Sequence, residues 1–137
     1  TYVMTLRARE QDIRREKASS NICTNQTLNA IGSAIHLSWM GPEGIYQVGY
    51  QAIQKAIYMK SQLIEKGFNV INNKSSLREF IVETTLPAKK IISEMGNRGF
   101  LAGIEYSENL LLVALTEKRT KDEIDNYVKQ FSEVNHG

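Results

Sequence analysis

The spacing of apolar residues divides the chain into helical and extended segments. Between residues 28 and 39 apolar side chains recur at intervals of three or four, which predicts a helix that Gly41 and Pro42 bring to an end. Pro42 suits the first turn of a second, long helix, whose apolar stripe runs from residue 45 to residue 64 and whose natural cap is Gly67. Two consecutive helices are therefore predicted before residue 68.

The residues that follow carry the signals of strands and of one hairpin. The predicted strands lie at residues 68–71, 80–84, 101–106 and 110–115. The second is rich in β-branched residues, and the last two are joined by a short polar turn. The final strand is apolar throughout, as expected for a central strand. A helix between the two pairs of strands opens at Pro87 and ends near Gly96 and Gly99.

The last predicted helix has the most complete sequence signal. Thr120 and Glu123 stand at the spacing of a capping box, and Ile124, Val128 and Phe131 then follow on one face. The predicted order of elements is α-α-β-β-α-β-β-α, without an internal repeat. This order indicates an α+β fold, in which an antiparallel or mixed sheet carries helices on one face.

Composition excludes several classes of function. The chain has 137 residues, of which 42% are hydrophobic, so it is the size of one domain. A formal charge of +2 and an aromatic content of 8% do not favour binding to nucleic acid. No apolar run has the length of a membrane span, and the expected location is the cytoplasm. Because the chain starts at Thr1 rather than at methionine, we expect it to be a piece of a longer polypeptide.

Only one cysteine, Cys23, is present, so neither an internal disulfide nor a metal framework of cysteines is expected. The sequence shows no Ser/His/Asp order, no paired metal ligands and no phosphate-binding glycine loop. No catalytic residue and no bound cofactor are therefore predicted for this chain.

A basic and polar segment precedes the first helix and is the strongest candidate site in the sequence. Six of its residues supply positive charge or short hydrogen-bond donors beside a helix start: Arg14, Arg15, Lys17, Ser20, Asn21 and Thr24. We expect these six to contact an anion or a subunit interface. The alternative is a solvated linker, because residues 7–17 hold five basic but also three acidic side chains.

The sequence of this segment closely resembles a motif of a known family. Residues 9–26 have the sequence REQDIRREKASSNICTNQ, which is similar to a stretch that characterises subunit 1 of the decarboxylating glycine dehydrogenases, the P-protein of the glycine cleavage system. Residues 41–44, with the sequence GPEG, and residues 116–125 resemble the same family. The resemblance therefore extends over nearly the whole chain.

The resemblance implies both a fold and a function. The implied fold is the small C-terminal domain of the fold-type I pyridoxal-phosphate enzymes, the aspartate-aminotransferase-like fold. Residues 1–25 would form a basic connecting segment from a missing large domain, and residues 26–137 would form the small domain, which a connecting helix precedes.

The implied function belongs to a complex. Glycine dehydrogenase subunit 1, together with subunit 2, decarboxylates glycine and transfers the aminomethyl group to the lipoyl arm of the H-protein. Pyridoxal phosphate would be bound by subunit 2, and this chain by itself would be inactive. The alternative interpretation is a free-standing α+β interaction or regulatory module, for which the resemblance would be a coincidence.

Overall fold

The computed structural model describes residues 25–71 and 76–136. The helices and strands, in chain order, are α1 (Thr27–Glu65), β1 (Glu79–Glu83), α2 (Ala88–Asn97), β2 (Ile104–Ser107), β3 (Leu110–Ala114) and α3 (Lys121–His136). The chain separates into two compact units, one up to Pro42 and one from Glu43. The predicted boundary after residue 25 lies at the edge of the described residues and stays a prediction.

Gly41 interrupts the helical backbone inside α1. Its φ of 62° and ψ of 179° are not helical, and a positive φ is a conformation that glycine adopts without a Cβ clash. Pro42 follows as the first residue of a new helical stretch, where its missing N–H group removes no helical hydrogen bond. The two consecutive helices predicted on either side of this point are therefore confirmed.

Gly67 ends α1 as predicted. Its φ is 89°, its N–H group donates to the carbonyl oxygen of Ile64 at 2.9 Å, and the N–H group of Phe68 donates to that of Leu63 at 3.0 Å. These two bonds form a Schellman motif, which satisfies carbonyl groups that the helix end would otherwise leave unpaired.

The three strands form one antiparallel sheet in the order β1-β3-β2. The apolar strand β3 is therefore central, as predicted. The strand predicted at residues 68–71 is reduced to one bridge, between Val70 and Val82. Only two backbone hydrogen bonds join this stretch to β1, so the fourth strand is too short to count as a regular one.

The part of α1 from Glu43 on packs on the same face of the sheet as α2 and α3. Phe80 lies opposite Val113 and Val82 lies opposite Leu111, and directly opposed residues of an antiparallel pair point to one face. These four side chains belong to a single buried cluster with residues of the helices, which are Met59, Leu63, Ala88, Ile91, Met95, Ile124, Val128, Phe131 and Val134. The predicted arrangement of helices on one face is confirmed.

The capping box of α3 is present in the structure. The backbone N–H of Thr120 donates to the Glu123 carboxylate at 2.7 Å, and the backbone N–H of Glu123 donates to the Thr120 hydroxyl at 3.2 Å. Each side chain therefore satisfies one donor at the helix start. None of the helices in the described part of the chain is long and apolar enough to cross a membrane.

Thr120→Ala is expected to destabilise the protein by about 0.5–2 kcal/mol, because the N–H of Glu123 loses its acceptor. The change is measured as a shift of the urea unfolding midpoint. Ser93→Ala on the exposed side of α2 is the matched control and should shift stability by less than about 0.5 kcal/mol. Equal midpoints for the two variants would show that the cap contributes nothing.

Candidate functional site

The six candidates of the basic segment lie outside the described residues. Arg14, Arg15, Lys17, Ser20, Asn21 and Thr24 therefore keep their anion or interface role as a prediction. The described chain starts with Asn25, whose side-chain oxygen accepts a hydrogen bond from the backbone N–H of Thr27 at 2.7 Å. Asn25 thus caps the start of α1.

A polar cluster joins α1 to the first turn of α3. The Tyr58 hydroxyl donates to one oxygen of Asp125 at 2.6 Å, and the Lys121 ammonium lies 2.8 Å from the other. The same ammonium lies 5.3 Å from the centre of the Tyr58 ring, within the range of a cation–π interaction. Lys55 donates to the carbonyl oxygen of Glu117 on the same side. We call Tyr58, Lys121 and Asp125 the α1–α3 clamp.

The clamp borders a recess of about 250 Å³, lined by Gln54, Lys55, Tyr58, Lys121 and Ile124. Hydrogen bonds from Lys121 and then from Tyr58 lower the pKa of Asp125, and the carboxylate in turn raises the pKa of Lys121. Near neutral pH the Asp125 carboxylate and the Lys121 ammonium are therefore both charged and form an ion pair. This geometry suits a structural connection between two helices and not the exchange of a proton with a substrate.

The clamp predicts a pH dependence of stability. Because the pKa of Asp125 is lowered on folding, its stabilising effect is present above the ordinary carboxyl value of about 3.9 and is lost as the pH falls through the lower folded value. At neutral pH Asp125→Asn should have a lower urea unfolding midpoint than the parent protein, and the difference between the two midpoints should become smaller below about pH 4. Glu94→Gln, at an exposed position of α2, is the control and should show no such pH-dependent difference from the parent protein.

A second, larger recess lies at the other end of α3. It has a volume of about 600 Å³, opens widely to the surface and is lined by Lys66, Lys129, Ser132, Glu133 and His136. Arg98 holds Glu133 at 2.9 Å, and the His136 ring stacks on Phe68 at 5.1 Å between ring centres. These two side chains are thus already engaged in contacts with the domain itself.

The described residues do not fit a pyridoxal-phosphate site. Such a site needs an enclosed lysine for the Schiff base, an acidic partner for the pyridine nitrogen and a phosphate cup. Lys60 is buried, its ammonium lies 3.3 Å from the Ser76 hydroxyl, and it lines neither of the two recesses. Lys66 and Lys129 are exposed at an open recess. Within residues 25–71 and 76–136, no group of three His, Cys, Asp or Glu side chains could hold a metal ion either.

Two long-range hydrogen-bonded contacts hold the C-terminal helix in place. The backbone N–H of Thr85 donates to the Asn135 side-chain oxygen at 3.3 Å, and the Thr85 hydroxyl donates to the Asn135 carbonyl oxygen at 2.5 Å. The Tyr127 hydroxyl donates to the Ala102 carbonyl oxygen at 2.6 Å, and burial raises the pKa of that hydroxyl. These contacts fix the loops on either side of α2.

The fold and its polar clusters define a class of protein. From Glu43 on, the described residues form an α+β domain with one covered sheet face, and its polar clusters join elements of this domain to one another. The family model for the glycine cleavage system P-protein matches residues 1–131, and the chain belongs to that family. The interpretation of the sequence resemblance as a coincidence is therefore wrong.

Several curated relatives are similar to nearly all of this chain. The probable glycine dehydrogenase (decarboxylating) subunit 1 of Staphylococcus haemolyticus is 45% identical over 140 residues. The relatives of the same description from Macrococcus caseolyticus and Staphylococcus aureus are 41% and 44% identical. Each alignment covers 98% of this chain and 31% of the relative, so the chain spans about a third of the length of these relatives.

A solved structure shows the same fold. It is a crystal structure of glycine decarboxylase (P-protein) of the glycine cleavage system in an inhibitor-bound form, with a TM-score of 0.77 and 33% sequence identity. The match covers 95% of this chain and 31% of the solved one. The predicted α+β fold class and the resemblance read from residues 9–26 are both confirmed.

Proposed function

We propose that this chain serves as the C-terminal domain of subunit 1 of a two-subunit glycine dehydrogenase in the cytoplasm. With subunit 2, the assembled enzyme would release CO2 from glycine and transfer the remaining aminomethyl group to the lipoyl arm of the H-protein. The observation that carries this proposal is the structural match to the P-protein over 95% of the chain. The subunit 1 description of the relatives supports the same assignment.

In this proposal the domain contributes contacts and not the bond-breaking groups. The polar clusters of the described residues join one part of the domain to another. In this proposal subunit 2 binds pyridoxal phosphate. When bound, this cofactor stabilises the electron pair that glycine retains as CO2 departs.

Co-purification with subunit 2 tests the proposal. The full-length subunit that carries this stretch, mixed with tagged subunit 2, is expected to elute with it from an affinity column and then as one peak in size exclusion. A subunit 1 that elutes separately at all concentrations up to the micromolar range would contradict the proposal, because obligate complexes bury large interfaces.

The basic segment is proposed to contact the partner subunit or an anion through Arg14, Arg15 and Lys17, with Ser20, Asn21 and Thr24 as donors. Arg14→Ala and Arg15→Ala are then expected to weaken association with subunit 2, since the planar guanidinium is hard to replace in a charge-assisted contact. Association is measured as the dissociation constant. Lys129→Ala, at an exposed position of α3, is the control. The solvated-linker alternative requires the three variants to bind equally well.

A further inference from the structure

The larger recess, at the end of α3, brings positively charged side chains from two elements together. Its lining consists of Lys66, Lys129, Ser132, Glu133 and His136. Lys129, Ser132 and His136 follow one another at intervals of three and four residues, a spacing that places them on one side of α3. Lys66 comes directly after the last residue of α1. The end of α1 and one side of α3 thus each contribute an ammonium group to the same recess.

These two ammonium groups are not balanced by a carboxylate of the described residues. Within the described part of the chain, Glu133 is the acidic residue that lines the recess, and the Arg98 guanidinium lies 2.9 Å from its carboxylate. Glu133 stands four residues after Lys129, the spacing of a helical ion pair, but Arg98 takes that place. Lys66 and Lys129 form no ion pair with any residue that the structure describes. The recess therefore keeps an excess of positive charge.

The ends of the two helices account for part of this charge but not for Lys129. A cation is stabilised near the C-terminus of a helix, an effect that is confined to the last turn. This effect is sufficient to explain Lys66 at the end of α1 and His136 at the end of α3. Lys129 lies about two turns before the end of α3, so the helix dipole does not explain its place at the recess.

We propose that the larger recess binds a small phosphate-bearing anion. A phosphate monoester carries a charge of about −1.5 to −2 near neutral pH, which matches two ammonium groups better than the single charge of a carboxylate does. The Ser132 hydroxyl and an N–H group of the His136 ring are further donors for the phosphate oxygens.

The size of the recess fits a ligand of this class. Its volume of about 600 Å³ lies within the range of small-molecule sites, about 300–1,000 Å³, and leaves space for an organic group beside the phosphate. The stacking of His136 on Phe68, a buried residue, holds the imidazole at the recess. The inference goes beyond the proposed function and does not depend on it.

Isothermal titration calorimetry on the full-length subunit that carries this stretch tests the inference. The probes are glycerol 3-phosphate and inorganic phosphate, at physiological salt. Lys66→Ala and Lys129→Ala are each expected to weaken the binding of glycerol 3-phosphate about tenfold, because each removes one charged donor. Lys90→Ala is the matched control, since it removes the same charge at an exposed position of α2 that does not line the recess. It should bind glycerol 3-phosphate as the parent does.

The two probes distinguish the possible sources of the phosphate group. Tighter binding of glycerol 3-phosphate than of inorganic phosphate, lost in both recess variants, supports a phosphorylated small molecule as the ligand. Equal affinities for the two probes, lost in the same variants, support free phosphate.

Three results would overturn the inference. The first is the absence of saturable binding of either probe up to the millimolar range, by calorimetry and by phosphorus NMR. The second is equal affinity of the parent and all three variants, because the phosphate would then bind elsewhere in the subunit. The third is equal weakening by Lys90→Ala, because the loss of net charge alone would then explain the effect. Since the ligand is a small anion, Lys129→Ala should not change the association with subunit 2, which is measured separately.

Discussion

Gly103→Ala is expected to destabilise the domain by about 3 kcal/mol or more, the combined effect of backbone strain and overpacking. Gly103 has a φ of 149°, a backbone conformation that residues other than glycine rarely adopt. A Cβ atom built there would lie 2.4 Å from the carbonyl oxygen of Leu112 and 3.1 Å from the Leu111 side chain. Both neighbours belong to the central strand β3, so neither can move away without disturbing the sheet.

The effect of Gly103→Ala is measured by urea unfolding, with Gly96→Ala as the control. Gly96 lies in α2 and a Cβ atom there would meet no atom within 4 Å, so alanine should be neutral or stabilise by up to about 1 kcal/mol. Equal urea midpoints for the two variants would contradict the close approach of Gly103 to β3.

Phe131→Ala is expected to cost about 3–5 kcal/mol, because it leaves a cavity where a fully buried aromatic ring stood. The Phe131 ring lies 5.0 Å from the Phe68 ring in an edge-to-face arrangement and 5.7 Å from the Tyr127 ring in a stacked one. The substitution therefore also removes two aromatic contacts, one with Phe68 just after the end of α1 and one with Tyr127 within α3 itself.

Leu101→Ala is the control for Phe131→Ala, because Leu101 is 99% exposed and its loss should change stability by less than about 0.5 kcal/mol. Thermal and urea unfolding should agree on the order of the variants. A loss below about 1 kcal/mol for Phe131→Ala would mean that the aromatic cluster is not the centre of the core.

Sequence patterns were sufficient to predict the elements that depend on residues close to one another in the chain. The break at Gly41 and the capping box at Thr120 each depend on residues that are neighbours in the chain. The central position of β3 followed from its continuous apolar run. The strand predicted at residues 68–71 was too long. Apolar and β-branched residues predict extended backbone, but they do not determine how many residues pair at the edge of a sheet.

The polar clusters could be predicted only in part. Lys121 and Asp125 are four residues apart in α3, a spacing that predicts an ion pair. Their partner Tyr58 is 67 residues from Asp125, and only the tertiary packing brings its hydroxyl to the carboxylate. The contact of Thr85 with Asn135 spans 50 residues and had no sequence signal either. The six residues of the basic segment, by contrast, were identified from their charge and their short donors beside a helix start, and their role remains a prediction.

The exposed apolar residues of α1 could not be distinguished from its core residues by sequence pattern. Apolar residues over 45–64 formed one long stripe in the sequence, and several of them belong to the core. The structure divides that stripe into a buried face and an exposed one, because the sheet, α2 and α3 cover only one side of the helix. Exposure, and not periodicity, is what distinguishes the two faces.

The central proposal is that this domain works as part of a glycine-decarboxylating complex, and release of labelled CO2 from carboxyl-labelled glycine tests it most directly. The full-length subunit carrying this stretch, subunit 2 with pyridoxal phosphate, and lipoylated H-protein are combined, and each is omitted in turn. The account predicts release with all three present, and loss of release when either subunit is omitted. Undiminished release by subunit 2 and H-protein without subunit 1, or no release from the complete mixture, would contradict it.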